Sequence, residues 1–155
     1  MFVTSLMEEK SNDSKRRILT IANDLFFAEV EKYLLEDKKV LFRIAGNSMR
    51  PFLYHGDRVL LKPFELSDLK KGRIVLVKTE SGFILHRIVS IKNNIVKLAG
   101  DANLIQIENV LINNVMATVI DVVEGKNQGD PYTFRRLFTA LLWYRARPLR
   151  LLAHK

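Results

Sequence analysis

The sequence contains no cysteine, and this absence narrows the chemistry open to it. Disulfides, thiolate zinc sites and a cysteine nucleophile are all excluded, so any nucleophile must be an oxygen or an amine. No stretch approaches the roughly 20 apolar residues of a membrane-spanning helix, and the first residues lack an apolar core of signal-peptide length. We therefore expect a cytoplasmic protein that is soluble or peripheral on the inner face of a membrane.

Acidic residues are missing from residues 131–155, although this stretch carries six cations. The formal net charge of the 155 residues is +8, so only 8 − 6 = +2 is left for the other 130. The basicity therefore belongs to a C-terminal tail and not to the fold. A hydrophobic content of 48% is enough for one domain with a sizeable core, and a second full domain has no room.

The pattern of apolar residues predicts a mainly β fold with a helix at each end. Residues 1–38 form an N-terminal tail and a helix from about 14 to 36, with Asp13 or Ser14 as its N-cap. A β domain follows over residues 39–124, because short β-branched runs alternate with tight turns in the way typical of an antiparallel, partly closed sheet. The predicted strands are 39–45, 58–62, 74–79, 83–91, 95–99 and 115–124.

A linker over residues 125–131 leads to a basic amphipathic tail, residues 132–155. Apolar and basic residues alternate until Pro148, which is expected to break the helix. One interpretation is that the tail binds an anionic membrane surface through its arginines, namely Arg135, Arg136, Arg145, Arg147 and Arg150. The alternative is a terminal helix docked on its own domain. Nucleic acid is the weaker third option, because the aromatic residues follow an apolar helical face.

A stiff turn between the first two strands presents one hydroxyl, that of Ser48. Gly46 permits backbone conformations closed to other residues, and Pro51 restricts Arg50. A serine held between rigid elements is a good nucleophile candidate. Taken alone, the turn also fits an ordinary structural hydroxyl.

A serine nucleophile needs a neighbouring base, and His86 lies in the middle of a strand on one face with Ile84 and Ile88. A lone histidine among aliphatic residues is more often a core residue, and His55 is a second candidate base. Asp101, at a glycine turn after the next strand, offers a group to orient the base. The histidines show no paired ligand spacing, so we predict no metal and no cofactor.

Five motifs in order resemble the serine peptidases of the S24/S26 group, which includes type I signal peptidases and the self-cleaving repressors. They begin at Gly46 (GNSMRP), Gly56 (GDRV), Gly72 (GRIV), His86 (HRIV) and Gly100 (GDAN), and they cover roughly residues 40–123. His86 in place of the usual bacterial lysine is similar to the endoplasmic-reticulum, archaeal and spore-former type. The short form without a leading membrane span looks like relatives found among peptide-maturation genes.

The resemblance implies a coiled sheet of the signal-peptidase or repressor type, with Ser48 as nucleophile, His86 as general base and Asp101 as orienting acid. Some relatives carry further aspartates after the last motif, where this chain has Gln106 and Glu108, which leaves Asp101 as the acid. The amide of Ser48 would help to hold the oxyanion with a donor from the turn, Gly46-Asn47. Apolar turn residues would line the substrate pocket, namely Met49, Pro51, Phe52 and Leu53.

We therefore predict a serine endopeptidase that cleaves a peptide or precursor protein through an acyl-enzyme on Ser48. The alternative is a non-catalytic peptide-binding or scaffold relative of the same fold, docked at a membrane surface. A self-cleaving repressor is set aside, because residues 1–45 contain no glycine and so no Ala-Gly cleavage site, and one long helix is not a helix-turn-helix.

Overall fold

The computed structural model describes residues 23–80 and 82–153. It contains three helices and seven strands in these residues, together with two short 3₁₀ turns. The helices are α1 (Asn23–Leu35), α2 (Phe134–Arg145) and α3 (Arg147–Ala153). The strands are β1 (Val40–Arg43), β2 (Arg58–Pro63), β3 (Ile74–Thr79), β4 (Gly82–Lys92), β5 (Ile95–Ala99), β6 (Glu108–Leu111) and β7 (Val115–Glu124).

All seven strands form one sheet in the order β1-β2-β7-β3-β4-β5-β6, and every neighbouring pair is antiparallel. The sheet is not closed, because β1 and β6 are its edges. In a flat sheet β1 and β5 would lie about 24 Å apart at roughly 4.8 Å per strand. The Ala102 amide after β5 nevertheless donates to the Ser48 carbonyl after β1 over 2.7 Å. The sheet must therefore curl until its two ends meet.

The core has two layers because β3 is buried on both faces. Ile74 and Leu76 face a cluster that includes α1, β1 and β2, whereas Val75 and Val77 face a second cluster with β5 and β6. This follows from the two-residue period of a strand. Helix α1 covers the first cluster. Its Phe27 ring stacks on the ring of Phe83 in β4.

The prediction of a mainly β, antiparallel fold with terminal helices is confirmed, and six of the strands were predicted. The seventh, β6, was not predicted, because its four residues, ENVL, contain no apolar run. The start of the N-terminal helix at residues 14–22 and its cap at Asp13 or Ser14 lie outside the described residues.

The prediction that Pro148 ends helical structure is wrong. Pro148 occupies the second position of α3, in the first helical turn, where its missing N–H costs nothing because that group has no intrahelical acceptor there. The preceding helix, α2, ends at Arg145, so the tail forms two helices where one was predicted.

The basic tail docks on its own domain. The Tyr132 hydroxyl accepts from the Ile74 amide over 3.1 Å and lies 2.6 Å from the Val119 carbonyl, to which it donates. Gly72 leaves room for Leu137, since a Cβ on Gly72 would lie 2.2 Å from its Cδ1. None of the helices in the described ranges is long and apolar enough to span a bilayer.

Candidate active site

The turn that carries Ser48 is held by its own residues. The Ile44 amide donates to the Asp57 carbonyl and the Gly56 amide to the Ile44 carbonyl, each over 2.8 Å, so β1 and β2 stay paired up to the turn. The Asp57 carboxylate accepts from the Tyr54 amide over 2.8 Å. His55 is also part of this framework, because its Nδ1 accepts from the Gly46 amide over 3.1 Å.

Ser48 and His86 are brought together by the curled sheet. His86 Nε2 lies 3.1 Å from Ser48 Oγ, and both residues are buried. The other ring nitrogen, Nδ1, lies 3.0 Å from a carboxylate oxygen of Glu108. An ionised carboxylate can only accept, so Nδ1 carries the proton in the neutral ring and Nε2 is left to accept from the serine hydroxyl.

The electrostatics of Glu108 favour its charged form. Burial raises the pKa of its carboxyl, but the hydrogen bond and the charge of His86, with smaller hydrogen-bond contributions, outweigh this effect. The pKa therefore lies below its ordinary value of 4.5. Glu108 is consequently a carboxylate near neutral pH, as the tautomer of His86 requires.

Asp101 does not contact His86, which corrects its predicted role as the orienting acid. Its two carboxylate oxygens accept from Arg87 Nε and Nη2, each over 2.8 Å, in a bidentate ion pair. Both side chains are 2% exposed. Because successive residues of β4 point to opposite faces, the arginine that holds Asp101 lies on the other side of the strand from His86.

Gly100 closes the site from the side of β5. A Cβ at this position would lie 2.7 Å from the Ser48 carbonyl oxygen and 3.0 Å from His86 Nε2. These distances are too short for any side chain, so the glycine lets the β5 turn approach both residues. Asp101 therefore contributes to the site through the backbone of its neighbours, Gly100 and Ala102, and not through its carboxylate.

A cleft lies beside Ser48, between the end of β1 and the free edge of β4. Its lining is mainly apolar and comprises Ile44, Ala45, Gly46, Ser48, Met49, Ile84, Leu85 and His86. Of the predicted pocket residues, Met49 lies at this cleft. The other three, Pro51, Phe52 and Leu53, line a separate cavity of about 230 Å³ between the turn and α2.

The residue that sequence reasoning missed is Glu108. It opens β6, the strand that was not predicted, and its register opposite Leu98 brings it to the sheet face of His86. The available signal was an acid two strands beyond the histidine. No group of three or more metal-ligating side chains lies together within residues 23–80 and 82–153.

The fold and the site together define a class of protein. It is mainly β, and a serine, a histidine and a carboxylate form a line of hydrogen-bonded side chains beside a cleft at a strand edge. A profile of the Peptidase S24-like family matches residues 9–120, and the chain belongs to that family. This confirms the S24 part of the resemblance seen in the motifs. Among curated proteins and solved structures, none matches the chain.

Proposed function

We propose that the protein is a serine endopeptidase in which Ser48 is the nucleophile, His86 the general base and Glu108 the group that orients the base. The observation that carries the proposal is the line of contacts from Ser48 Oγ to His86 Nε2 and from His86 Nδ1 to Glu108. A hydroxyl is a weak nucleophile until a neighbouring base takes its proton, and the imidazole is positioned for that transfer.

The reaction would proceed in two halves. Ser48 Oγ attacks the substrate carbonyl carbon while its proton passes to His86 Nε2. The tetrahedral intermediate then expels the amine, which takes that proton, and an acyl-enzyme remains. Water deprotonated by His86 releases the acid in the second half. Glu108 stabilises the imidazolium that forms in each half.

A donor for the developing oxyanion is available in the turn. Within the described residues, the amide N–H groups of Ser48 and Asn47 donate no hydrogen bond, so both are free to bind an anion. The Gly46 amide is already taken by His55. We assign the oxyanion to the Ser48 amide, with Asn47 as the second donor.

The edges of the cleft suit an extended peptide. Ile44 directs its backbone groups toward β2, so its neighbour Ala45 directs its own away from β2. Ile88 exchanges hydrogen bonds with the β3 side, so Leu85 faces the opposite edge, where β5 pairs only from Arg87 onward. A peptide lying between Ala45 and Leu85 would add a strand to both edges, and its residue next to Ser48 would meet apolar walls.

A fluorophosphonate probe tests the nucleophile. The parent is expected to be labelled at Ser48, and Ser48→Ala to lose labelling and peptide cleavage by about six orders of magnitude in rate. Ser67→Ala is the matched control, because Ser67 is exposed and its hydroxyl bonds only to a nearby carboxylate, that of Glu65. His86→Ala should slow labelling while leaving Ser48 in place.

Three results would decide against the proposal. Equal labelling of Ser48→Ala and the parent would place the reactive group elsewhere. Absent labelling of a folded parent that binds an extended peptide would favour the scaffold alternative. Cleavage of the chain itself, with no cleavage of added peptides, would favour a self-processing protein, and intact mass after incubation measures it.

A further inference from the structure

The outer face of α2 carries a row of large apolar side chains that are mostly exposed. Phe134, Phe138 and Leu142 are 84%, 59% and 57% exposed. Their spacing of four residues places them on one side of the helix, and the two phenylalanine rings stack with centroids 6.2 Å apart. We call these three residues the apolar ridge. Contiguous exposure of this kind marks an interaction surface more often than a solvated one.

The opposite face of α2 is already used, so the helix cannot turn to bury the ridge. Ala140 is buried, Leu137 packs over Gly72, and Trp143 Nε1 donates to the Asp101 carbonyl over 2.8 Å. The exposed apolar surface continues on α3 with Leu149 and Leu152, which are 70% and 68% exposed.

Cations border the ridge. Arg135 and Arg145 are exposed on the same side of α2, and the turn beneath the helix carries exposed Lys70 and Lys71. Residues 131–155 contain no acid. The nearest acid along the chain is Asp130, whose carboxylate accepts from the Tyr132 amide.

Three of the predicted lipid-facing arginines are turned inward. Arg147 is buried and donates to the Asn103 and Gln106 carbonyls, and Arg136 donates to the Gln128 and Asp130 carbonyls. Arg150 donates to the Asp101 carbonyl over 3.3 Å, and its guanidinium lies over the Trp143 ring. The surface charge of the tail is therefore concentrated beside the ridge and not spread along the whole stretch.

We propose that this face docks on an anionic lipid bilayer, with the apolar ridge, Leu149 and Leu152 in the headgroup boundary and the flanking arginines on lipid phosphates. An apolar row between cations is the pattern of helices that lie in such an interface. A second copy of the chain fits less well, because apposed ridges would bring Arg135 and Arg145 of both copies together. Nucleic acid offers nothing apolar for the ridge.

Co-flotation with vesicles tests this proposal, which is independent of catalysis. The full chain is mixed with vesicles of phosphatidylcholine alone or with 30% phosphatidylserine, at low and high salt. We expect binding to the anionic vesicles only and release by salt. Phe138→Ser with Leu142→Ser should weaken partitioning roughly tenfold per residue. Leu35→Ser, which changes a more exposed leucine on α1, should bind as the parent does.

Charge reversal gives the second arm. Arg135→Glu with Arg145→Glu should reduce binding at least about fivefold per residue, whereas Lys92→Glu at the end of β4 should not. Unfolding curves confirm that each variant is folded. The proposal is overturned if the parent ignores anionic vesicles, if the ridge variants bind as the parent does, or if the ridge instead mediates a concentration-dependent dimer in light scattering without vesicle binding.

Discussion

At the scale of single residues, the site depends on which carboxylate faces which nitrogen. Glu108 accepts from His86 Nδ1, and Asp101 is held in a bidentate pair by the guanidinium of Arg87. Because Arg87 and His86 point to opposite faces of β4, this pair holds the aspartate on the far side of the strand from the imidazole. The two acids therefore have separate tasks: Glu108 fixes the ring of His86, and Asp101 fixes the turn that reaches Ser48.

Amide variants of the two acids separate these tasks. Glu108→Gln should slow fluorophosphonate labelling of Ser48 by roughly 10²–10⁴-fold, because an amide no longer enforces the Nδ1–H tautomer. Asp101→Asn should lower the free energy of unfolding by about 3–5 kcal/mol, because it leaves Arg87 as a buried unpaired charge. Labelling rates and urea unfolding curves are measured on both.

Each of the two variants, Asp101→Asn and Glu108→Gln, serves as the control for the other. If Asp101 oriented His86, folded Asp101→Asn would show the roughly 10²–10⁴-fold loss of labelling, and Glu108→Gln would label at the parental rate. That pair of results would restore Asp101 to the role that the motifs predicted.

The sequence was sufficient to nominate Ser48 and His86 as candidates that the structure places 3.1 Å apart, because a glycine-bounded turn and a strand histidine are visible in the residues themselves. It was not sufficient to select the acid. Asp101 stands in a recognisable Gly-Asp motif, but its capture by Arg87 depends on the curvature of the sheet. Glu108 lies in a short polar strand whose register with β5 no periodicity reveals.

At the scale of elements, Tyr132 joins the linker to the sheet. Its hydroxyl lies between backbone groups of β3 and β7. Burial raises the pKa of Tyr132 to about 12, from an ordinary 10.0. The folded protein thus holds this proton more tightly than the unfolded chain does.

The raised pKa makes stability depend on alkaline pH. The contribution of Tyr132 is complete below about pH 10, where the unfolded chain is also protonated, and is lost as pH rises toward 12. A two-unit shift corresponds to roughly 2–3 kcal/mol. Tyr132→Phe should lack this part of the decline and lose about 1–2 kcal/mol at pH 7, because the Ile74 amide is left without its acceptor.

Urea unfolding at pH 7, 10, 11 and 12 measures this difference. Tyr144→Phe is the matched control and should decline as the parent does, since Tyr132 is intact in it. Parallel curves for the parent and Tyr132→Phe would show that the hydroxyl is not held as described.

The elements that could be predicted from the sequence were those with a continuous apolar pattern between clear turn residues. Strands β3, β5 and β7 have their predicted bounds because each is β-branched and ends at turn residues. The C-terminal helices were harder, since Pro148 can end one helix or begin the next. In the structure it begins the next, and Trp143 and Arg147 on the two sides of the break both donate to the body of the domain.

At the scale of the whole molecule, the C-terminal helices support the loop that touches Ser48. Trp143 donates to the Asp101 carbonyl, and Arg147 donates to the Asn103 carbonyl over 2.7 Å. Between these two anchored carbonyls, the Ala102 amide donates to the Ser48 carbonyl. The tail thus helps to hold the turn that presents the hydroxyl.

Trp143→Phe tests this link because it keeps an aromatic ring, although a smaller one, and removes the N–H donor. We expect a loss of about 1 kcal/mol in the free energy of unfolding and faster hydrogen exchange at the Ala102 amide. Because the expected effect is local, hydrogen exchange of the β2 amides should be unchanged. Unchanged protection of Ala102 would mean that the tail does not support this loop.

The curled sheet also sets the order in which the site can come into being. Ser48 follows the first strand, whereas Glu108 opens the sixth, 60 positions later in the sequence. A chain still emerging from the ribosome holds its serine long before the carboxylate and the supporting tail have been made. Under the proposed assignment the hydroxyl therefore lacks its histidine–carboxylate pair until Glu108 has been made, so a chain that stops before this residue is not expected to react with the probe.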